Sequence, residues 1–155
     1  MPDAHKLRGR ITAIHAQAGK IENDQLKAEV AKHLCVLASG LIEATVRDAV
    51  ESLVVTTKPN QRIGNAATAF AKNLNTPSRE NIRKLLAKID KPLSVEFEAF
   101  LEANAQSASS LKSIVSNRHL IAHGRDVSGL SVGRMKQYLD DIEEVLKIIA
   151  KLGKR

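Results

Sequence analysis

The sequence predicts an all-α protein, a helical bundle with two or three long helices and several shorter ones. Apolar residues recur at spacings of three and four through most of the chain, as on the buried face of a helix. Capping residues, prolines and glycines separate these segments. No segment alternates like a strand, and the nearest candidate, Val54–Thr57, fits a helix end. At 155 residues and 43% hydrophobic composition, we expect a single helical domain over residues 1–155.

Two helices are predicted in the N-terminal half. Asp3 is a candidate cap for the first, and the second runs from about Asp24 to Thr57. The second is long for a globular protein, so a break near Ser39-Gly40 is an open alternative. Three charged residues four positions apart favour ion pairs along one of its faces: Glu43, Arg47 and Glu51.

Three short helices follow. Pro59-Asn60 interrupts the chain before the first of them, whose apolar positions run from Ile63 to Leu74. Thr76-Pro77 combines a capping hydroxyl with a proline and predicts the start of the next, which ends at Lys91-Pro92. The third is predicted over Ser94–Asn104.

Two longer helices complete the predicted bundle. Ser107 is the candidate cap of the first, and Gly124 stands where a left-handed C-terminal residue is needed. Ser131 is the candidate cap of the final helix, whose apolar stripe extends over residues 132–152. Such a face packs inside a bundle or holds a second copy of the chain. We expect the basic tail, residues 151–155, to be frayed.

Composition restricts the compartment and the partners. The net charge of +7 favours a polyanionic partner, although a basic protein without such a partner would have the same net charge. The single cysteine, Cys35, excludes an internal disulfide and fits a reducing compartment, and its apolar neighbours favour a buried, unreactive side chain. No stretch is apolar enough to span a bilayer, and the N-terminus lacks the hydrophobic block of a secretory signal. We therefore expect a cytoplasmic protein with no membrane partner.

The segment S-N-R-H-L-I-A-H-G, residues 116–124, departs from the helical pattern. Continuing the apolar face of Leu111 and Ile114 calls for a hydrophobic residue at position 118, but Arg118 stands there with His119 and His123 close behind it. One explanation is structural: a buried arginine that caps carbonyl groups, with two satisfied histidines.

A metal site is a second explanation. His119 and His123 are four positions apart and share a helical face, but no third ligand follows at a suitable spacing. We therefore expect neither a metal nor another cofactor.

Acid–base chemistry on a phosphodiester is the third explanation. An imidazole can exchange protons near neutral pH, and a guanidinium offers a planar fork of donors to phosphate oxygens. On a regular helix, positions 118 and 123 point about 140° apart. The two groups therefore meet on one phosphate only if the helix loosens near Gly124, or if two copies of the motif face each other.

The run from Arg118 to His123, Arg-His-Leu-Ile-Ala-His, resembles the signature of the HEPN superfamily, and the longer form N-R-H-L-I-A-H-G strengthens the resemblance. The match in chain order covers residues 107–152, where the motif ends one helix and precedes the last long one. The N-terminal half agrees with these proteins in being helical.

The resemblance implies a metal-independent endoribonuclease. In such proteins the ribose 2′-hydroxyl attacks the phosphate and leaves a 2′,3′-cyclic phosphate, at a site composed from two motifs across a homodimer. Arg118 would orient the phosphate and stabilise its charge, and His123 would be the general acid or base. His119 would assist, and Asn117 would orient a neighbour unless it is a solvent-facing amide. The family includes toxins, phage-defence effectors and RNA-processing factors, which leaves open whether a cognate antitoxin is a further partner.

Other charged residues are weaker candidates. Arg125 and Arg134 flank the motif and could follow an RNA backbone. Glu43 is an accessory candidate whose simpler explanation is an ion pair with Arg47. Four basic residues could extend the RNA path, although a solvated face explains them better: Arg79, Arg83, Lys84 and Lys88. With aromatics at 3%, we do not expect base stacking or sequence-specific reading of a single strand.

Two other functions remain open. A catalytically silent HEPN-like module would bind RNA or a nucleotide, or serve as a protein scaffold. A helical protein-interaction domain with a chance motif is the other, and it leaves Arg118 in the apolar stripe unexplained. The intact pair of Arg118 and His123 favours the enzyme.

Overall fold

The computed structural model describes residues 3–155, and all of the regular secondary structure in that range is helical, with no strand. The fold class predicted from the sequence is thus confirmed. In chain order the elements are α1 (Asp3–Ala18), α2 (Asp24–Thr57), α3 (Gln61–Lys72), α4 (Arg79–Ile89), α5 (Lys91–Ala103), α6 (Ala105–Ala122), α7 (Val132–Asp141), α8 (Glu143–Ala150) and a C-terminal 3-10 helix (Lys151–Lys154).

The central element is α2, which runs without a break for 34 residues. The Asn23 side chain accepts a hydrogen bond from the Leu26 N–H at 2.9 Å and so caps its N-terminus. The break considered near Ser39-Gly40 does not occur. Ser39 is itself buried, and the Leu7 side chain of α1 lies 3.9 Å from where a Cβ at Gly40 would stand. The helix is packed against its neighbours on both sides of Gly40, and it continues past this glycine.

Helices α1, α6 and α7 are among the elements that pack against α2. The Ala4 N–H donates to Asp48 at 2.8 Å, so α1 runs antiparallel to α2. The Cys35 thiol donates to the Ile114 carbonyl at 3.5 Å, which brings the first half of α2 against α6. The Ser107 hydroxyl donates to the Asp141 carbonyl at 2.7 Å, so the start of α6 meets the end of α7. The two helices α6 and α7 are therefore antiparallel, and the end of α6 lies at the same end of the bundle as the start of α7.

A single aliphatic core joins all of these elements. Fully buried side chains come from the long helices and from α4 and α5, and Phe97 is the one aromatic residue among the largest of them. This agrees with the low aromatic content, which leaves leucine, isoleucine and valine to fill the interior.

Two of the predicted helix starts are displaced. The cap of α4 is Ser78 rather than Thr76, because the Ser78 hydroxyl accepts from the Asn81 N–H at 3.2 Å. The helix predicted to begin at Ser94 begins at Lys91, where the Asp90 carboxylate accepts from the Leu93 N–H at 2.9 Å. In each case a neighbouring residue also has a capping side chain, and the backbone conformation at the turn decides between them.

The two serines assigned as caps inside the C-terminal half behave differently. Ser131 caps α7 as predicted, with its hydroxyl accepting from the Arg134 N–H at 3.0 Å. Ser107 is not a cap: α6 begins earlier, at Ala105, and Ser107 is buried within it. Its hydroxyl bonds to Asp141 of another helix, which sequence spacing does not reveal.

The last predicted helix is divided into α7 and α8 at Ile142. Two serines of α6 bind the residue before the division. The Ser107 hydroxyl donates to the Asp141 carbonyl, and the Ser110 hydroxyl donates to the Asp141 carboxylate at 2.6 Å. These two contacts lie beside the junction of α7 and α8.

The tail is not frayed, contrary to the prediction. Its 3-10 helix buries Leu152 completely, and the Ser52 hydroxyl donates to the Gly153 carbonyl at 2.9 Å. Arg155 reaches the Asp90 carboxylate at 3.0 Å. The basic composition suggested solvation, but one leucine in the right register is enough to dock the segment.

Within residues 3–155, none of the helices has the length and apolar character that crossing a membrane requires.

Candidate active site at the C-terminus of α6

The motif ends α6 with a Schellman arrangement. Gly124 adopts a left-handed conformation with φ of 66°, as predicted for this position. The Arg125 N–H donates to the Leu120 carbonyl at 2.9 Å, and the Gly124 N–H donates to the Ile121 carbonyl at 3.0 Å. The helix therefore stays regular up to His123, and the loosening that would turn this histidine toward Arg118 is not present.

The two imidazoles of the motif lie side by side on the outer face of α6. The ring centroids of His119 and His123 are 4.4 Å apart, with the planes at 61°. Both side chains are exposed, and neither makes a hydrogen bond to the part of the chain that the structure describes. Two titratable groups thus stand together, open to a ligand.

Arg118 points to a different side of the same helix, toward α2. It is half-buried, and its charge acts on two residues of α2, Cys35 and Glu43. This agrees with the angle of about 140° between positions 118 and 123 on a regular helix. In one chain, the guanidinium and the exposed imidazoles therefore occupy neighbouring faces rather than one pocket.

Glu43 of α2 is an acidic residue on which the charge of Arg118 acts. Burial raises the pKa of its carboxyl, while the charge of Arg118 and a hydrogen bond from the Ser39 hydroxyl at 3.4 Å lower it in part. The predicted ion pair with Arg47 is not formed, since Arg47 lies 3.5 Å from Asp3 of α1 instead. The sequence could not show this, because Asp3 comes to Arg47 only when α1 packs on α2.

Cys35 lies beneath the motif but is not a nucleophile. Burial raises the pKa of its thiol to about 11, and the charge of Arg118 offsets this only in part. The group is therefore a neutral thiol at physiological pH, and it packs as the small hydrophobic residue that its neighbours predicted.

The remaining motif residues are open to solvent to different degrees. Arg125 and Arg134 are exposed on either side of the loop between α6 and α7, and neither forms an ion pair within residues 3–155. Asn117 is half-buried, with no side-chain hydrogen bond in that range. Both arginines remain available to a polyanion beside the imidazole pair.

The basic residues of α4 are mostly engaged elsewhere. Arg79 forms a bidentate ion pair with Glu98, with its shortest contact at 2.8 Å. Lys84 lies 2.7 Å from Glu80, and Lys88 sits 4.3 Å above the Phe70 ring. These contacts favour the solvated-face explanation of the α4 charges.

Sequence reasoning missed one member of this site, Ser39. Its hydroxyl is buried and holds the Glu43 carboxylate one helical turn away. The spacing of four between the two residues was visible in the sequence, but the same spacing also links Glu43 to Arg47. Whether Glu43 binds Ser39 or Arg47 depends on the packing of α1 and α6 against α2.

Three or more metal-ligating side chains do not come together anywhere in residues 3–155. The donor groups at the motif are two imidazoles, which is fewer than a catalytic zinc site uses. The imidazoles and the arginine that are present can transfer protons and bind an anion.

The fold and the site together define an all-α protein whose arginine–histidine motif ends a core helix. The family model described as RiboL-PSP-HEPN matches residues 6–152. The chain therefore belongs to this family of the HEPN superfamily, as the motif indicated. No match was found among curated proteins or among solved structures. Family membership supports a nuclease-like or RNA-related module.

Proposed function

We propose that this protein is a metal-independent endoribonuclease. The observation that carries the proposal is the arrangement at the end of α6: an exposed pair of imidazoles, 4.4 Å apart, next to a half-buried guanidinium. A phosphodiester needs these two kinds of group, one to move protons and one to stabilise negative charge.

The proposed reaction is an internal transfer at phosphorus. A base removes the proton of the ribose 2′-hydroxyl, and the oxygen attacks the adjacent phosphorus. The bond to the 5′-oxygen breaks, and an acid supplies a proton to that leaving oxygen. His123 is the general acid or base and His119 assists. Arg118 binds the non-bridging oxygens, and Glu43 is a positioning residue that acts on the guanidinium through its charge. The products are a 2′,3′-cyclic phosphate and a free 5′-hydroxyl.

A second copy of the chain completes the proposed site. The argument is geometric: the Schellman end keeps His123 in helical register, so Arg118 of the same chain remains on another face. Two motifs related by a two-fold axis would bring the arginine of one chain to the histidines of the other. An isologous homodimer is the simplest assembly that does this.

Cleavage of labelled RNA in excess chelator tests the reaction. We expect wild-type protein to produce cyclic phosphate ends, and His123→Ala to lose 100- to 10,000-fold in rate, about the contribution of a general acid–base group. His5→Ala is the matched control, because His5 is exposed on α1 at the other end of the bundle. DNA of the same sequence should resist cleavage, since it lacks the nucleophile.

Equal cleavage by the wild type and His123→Ala would place the activity elsewhere. RNA binding without any cleavage would instead favour the silent module. A role as a toxin or phage-defence effector, with a cognate antitoxin, predicts that wild-type expression arrests growth and that Arg118→Ala is tolerated.

Subunit mixing tests the composite site. Arg118→Ala and His123→Ala proteins should each be inactive, and a mixture allowed to exchange subunits should regain part of the activity. The recovery arises because a mixed dimer has one site with both residues intact, supplied by different chains. A mixture as inactive as its components, despite exchange, would contradict a site shared across the dimer.

A further inference from the structure

A groove of about 570 Å³ lies between the start of α4 and the outer face of α6. The α4 side is formed by residues 78–80, and the α6 side by Ser109, Lys112 and Ser116 with small apolar neighbours. No motif in the sequence points to it.

The groove lies along the same face of α6 as the imidazole pair. Its α6 residues and the two histidines are separated by three, four, three and four positions, so they form one stripe along the helix: Ser109, Lys112, Ser116, His119 and His123. All five side chains are exposed. With a rise of about 1.5 Å per residue, Lys112 and His123 are about 16 Å apart along the axis, a length that a few nucleotides can span.

Charge pairing leaves this groove positive. Arg79 on the α4 wall is bound to Glu98, and Glu80 is bound to Lys84 at 2.7 Å. Lys112 has no carboxylate partner within residues 3–155, so it is the uncompensated charge of the groove. Two exposed serine hydroxyls, Ser109 and Ser116, stand on either side of it along the stripe.

From these observations we propose that the α4–α6 groove is a subsite for the RNA strand, and that Lys112 contacts a phosphate a few nucleotides from the cleaved linkage. The proposal rests on the proposed ribonuclease function and extends it to the length of strand that the protein holds. No aromatic side chain lines the groove, so the contacts are to phosphate and ribose and tolerate any base sequence.

The binding of fluorescently labelled single-stranded RNA at several salt concentrations tests this subsite. In Lys112→Ala, affinity should fall, and the slope of log affinity against log salt should decrease by about 0.7, the value for one lost phosphate contact on a single strand. Lys72→Ala is the matched control, since Lys72 is an exposed lysine at the end of α3 with no ion pair in the described range. Cleavage of a dinucleotide, which is too short to enter the groove, should be the same in Lys112→Ala and wild type.

Each outcome has a separate meaning for the two proposals. If wild type cleaves RNA but Lys112→Ala matches Lys72→Ala in affinity and salt slope, the groove proposal fails and the nuclease stands. If binding depends on Lys112 but no RNA is cleaved, the nuclease fails and the groove stands. Sedimentation of Lys112→Ala should show unchanged assembly, and loss of a dimer would overturn the groove proposal by making this face a subunit contact.

Discussion

The two ends of α2 meet very different surroundings. Its second half contacts the start of α1, α3, α8 and the C-terminal 3-10 helix, where Leu152 is fully buried. Hydrogen bonds tie this end to distant segments, from Ala4 to Asp48 and from Ser52 to Gly153. Its first half packs on α6, whose last turn carries the exposed motif.

This difference predicts that the residues most important for stability and those most important for activity lie near opposite ends of α2. At the closed end, around the second half of α2, Leu152 and Val50 are fully buried, and hydrogen bonds join segments that are distant in the chain. At the motif end, His119, His123 and Arg125 are exposed and have no ion pair within residues 3–155. A substitution at the motif end should therefore change activity more than stability, and one at the closed end should do the reverse. Four substitutions test that division, from the largest expected effect to the smallest.

Arg118→Ala should reduce RNA cleavage by about 100- to 1,000-fold, as expected when a donor to the transition-state charge is lost. Arg118→Lys should recover only part of this, because an ammonium cannot form the planar two-oxygen contact of a guanidinium. Single-turnover cleavage measures both. A lysine variant as active as wild type would show that charge alone is needed.

Leu152→Ala should lower the free energy of unfolding by about 2–5 kcal/mol, because it leaves a cavity in the closed end. Urea unfolding measures the loss. Leu26→Ala, at a leucine that is 52% exposed, is the control and should change stability by about 0.5 kcal/mol or less. RNA cleavage by Leu152→Ala should be normal at a temperature where it is folded, and a defect there would couple the two ends.

Gly153→Ala should cost about 1–3 kcal/mol through overpacking. An added Cβ would lie 3.0 Å from the Ser52 Cβ and 3.2 Å from the Ala49 carbonyl oxygen, which is backbone and cannot swing aside. Gly19→Ala is the matched control, since its Cβ would meet nothing within 4 Å. Thermal unfolding compares the two, and equal melting temperatures would mean that the tail packs loosely.

Glu43→Gln should leave stability at neutral pH unchanged or slightly higher while lowering cleavage. Burial raises the pKa of this carboxyl above its ordinary 4.5, so its protonated form stabilises the fold at low pH. That contribution is lost as pH rises through the folded-state pKa. The variant should therefore gain on wild type from about pH 4.5 upward, as urea unfolding at several pH values would show. A variant less stable than wild type at neutral pH would mean that attraction to Arg118 outweighs burial.

Most helix positions follow from the sequence because they depend on neighbouring residues. The left-handed Gly124 and the Ser131 cap are local features, and both stand where predicted. The uninterrupted α2 was harder to predict, because Gly40 weakens a helix locally, whereas the contacts of α2 with other helices form only in the folded protein.

The residues of the candidate site divide in the same way. Arg118, His119 and His123 could be named from the sequence, since their spacing and the helix end are local. The partner of Glu43 and the groove beside Lys112 could not, because each depends on which helix packs alongside.

By itself, the sequence determined the helical class, the motif and the family, since periodicity, capping and spacing are properties of neighbouring residues. The tertiary structure alone decided that the tail docks, that two serines of α6 bind Asp141, and that Arg118 faces α2 while the histidines face solvent. These outcomes depend on contacts between residues far apart in the chain, which exist only after the helices have packed.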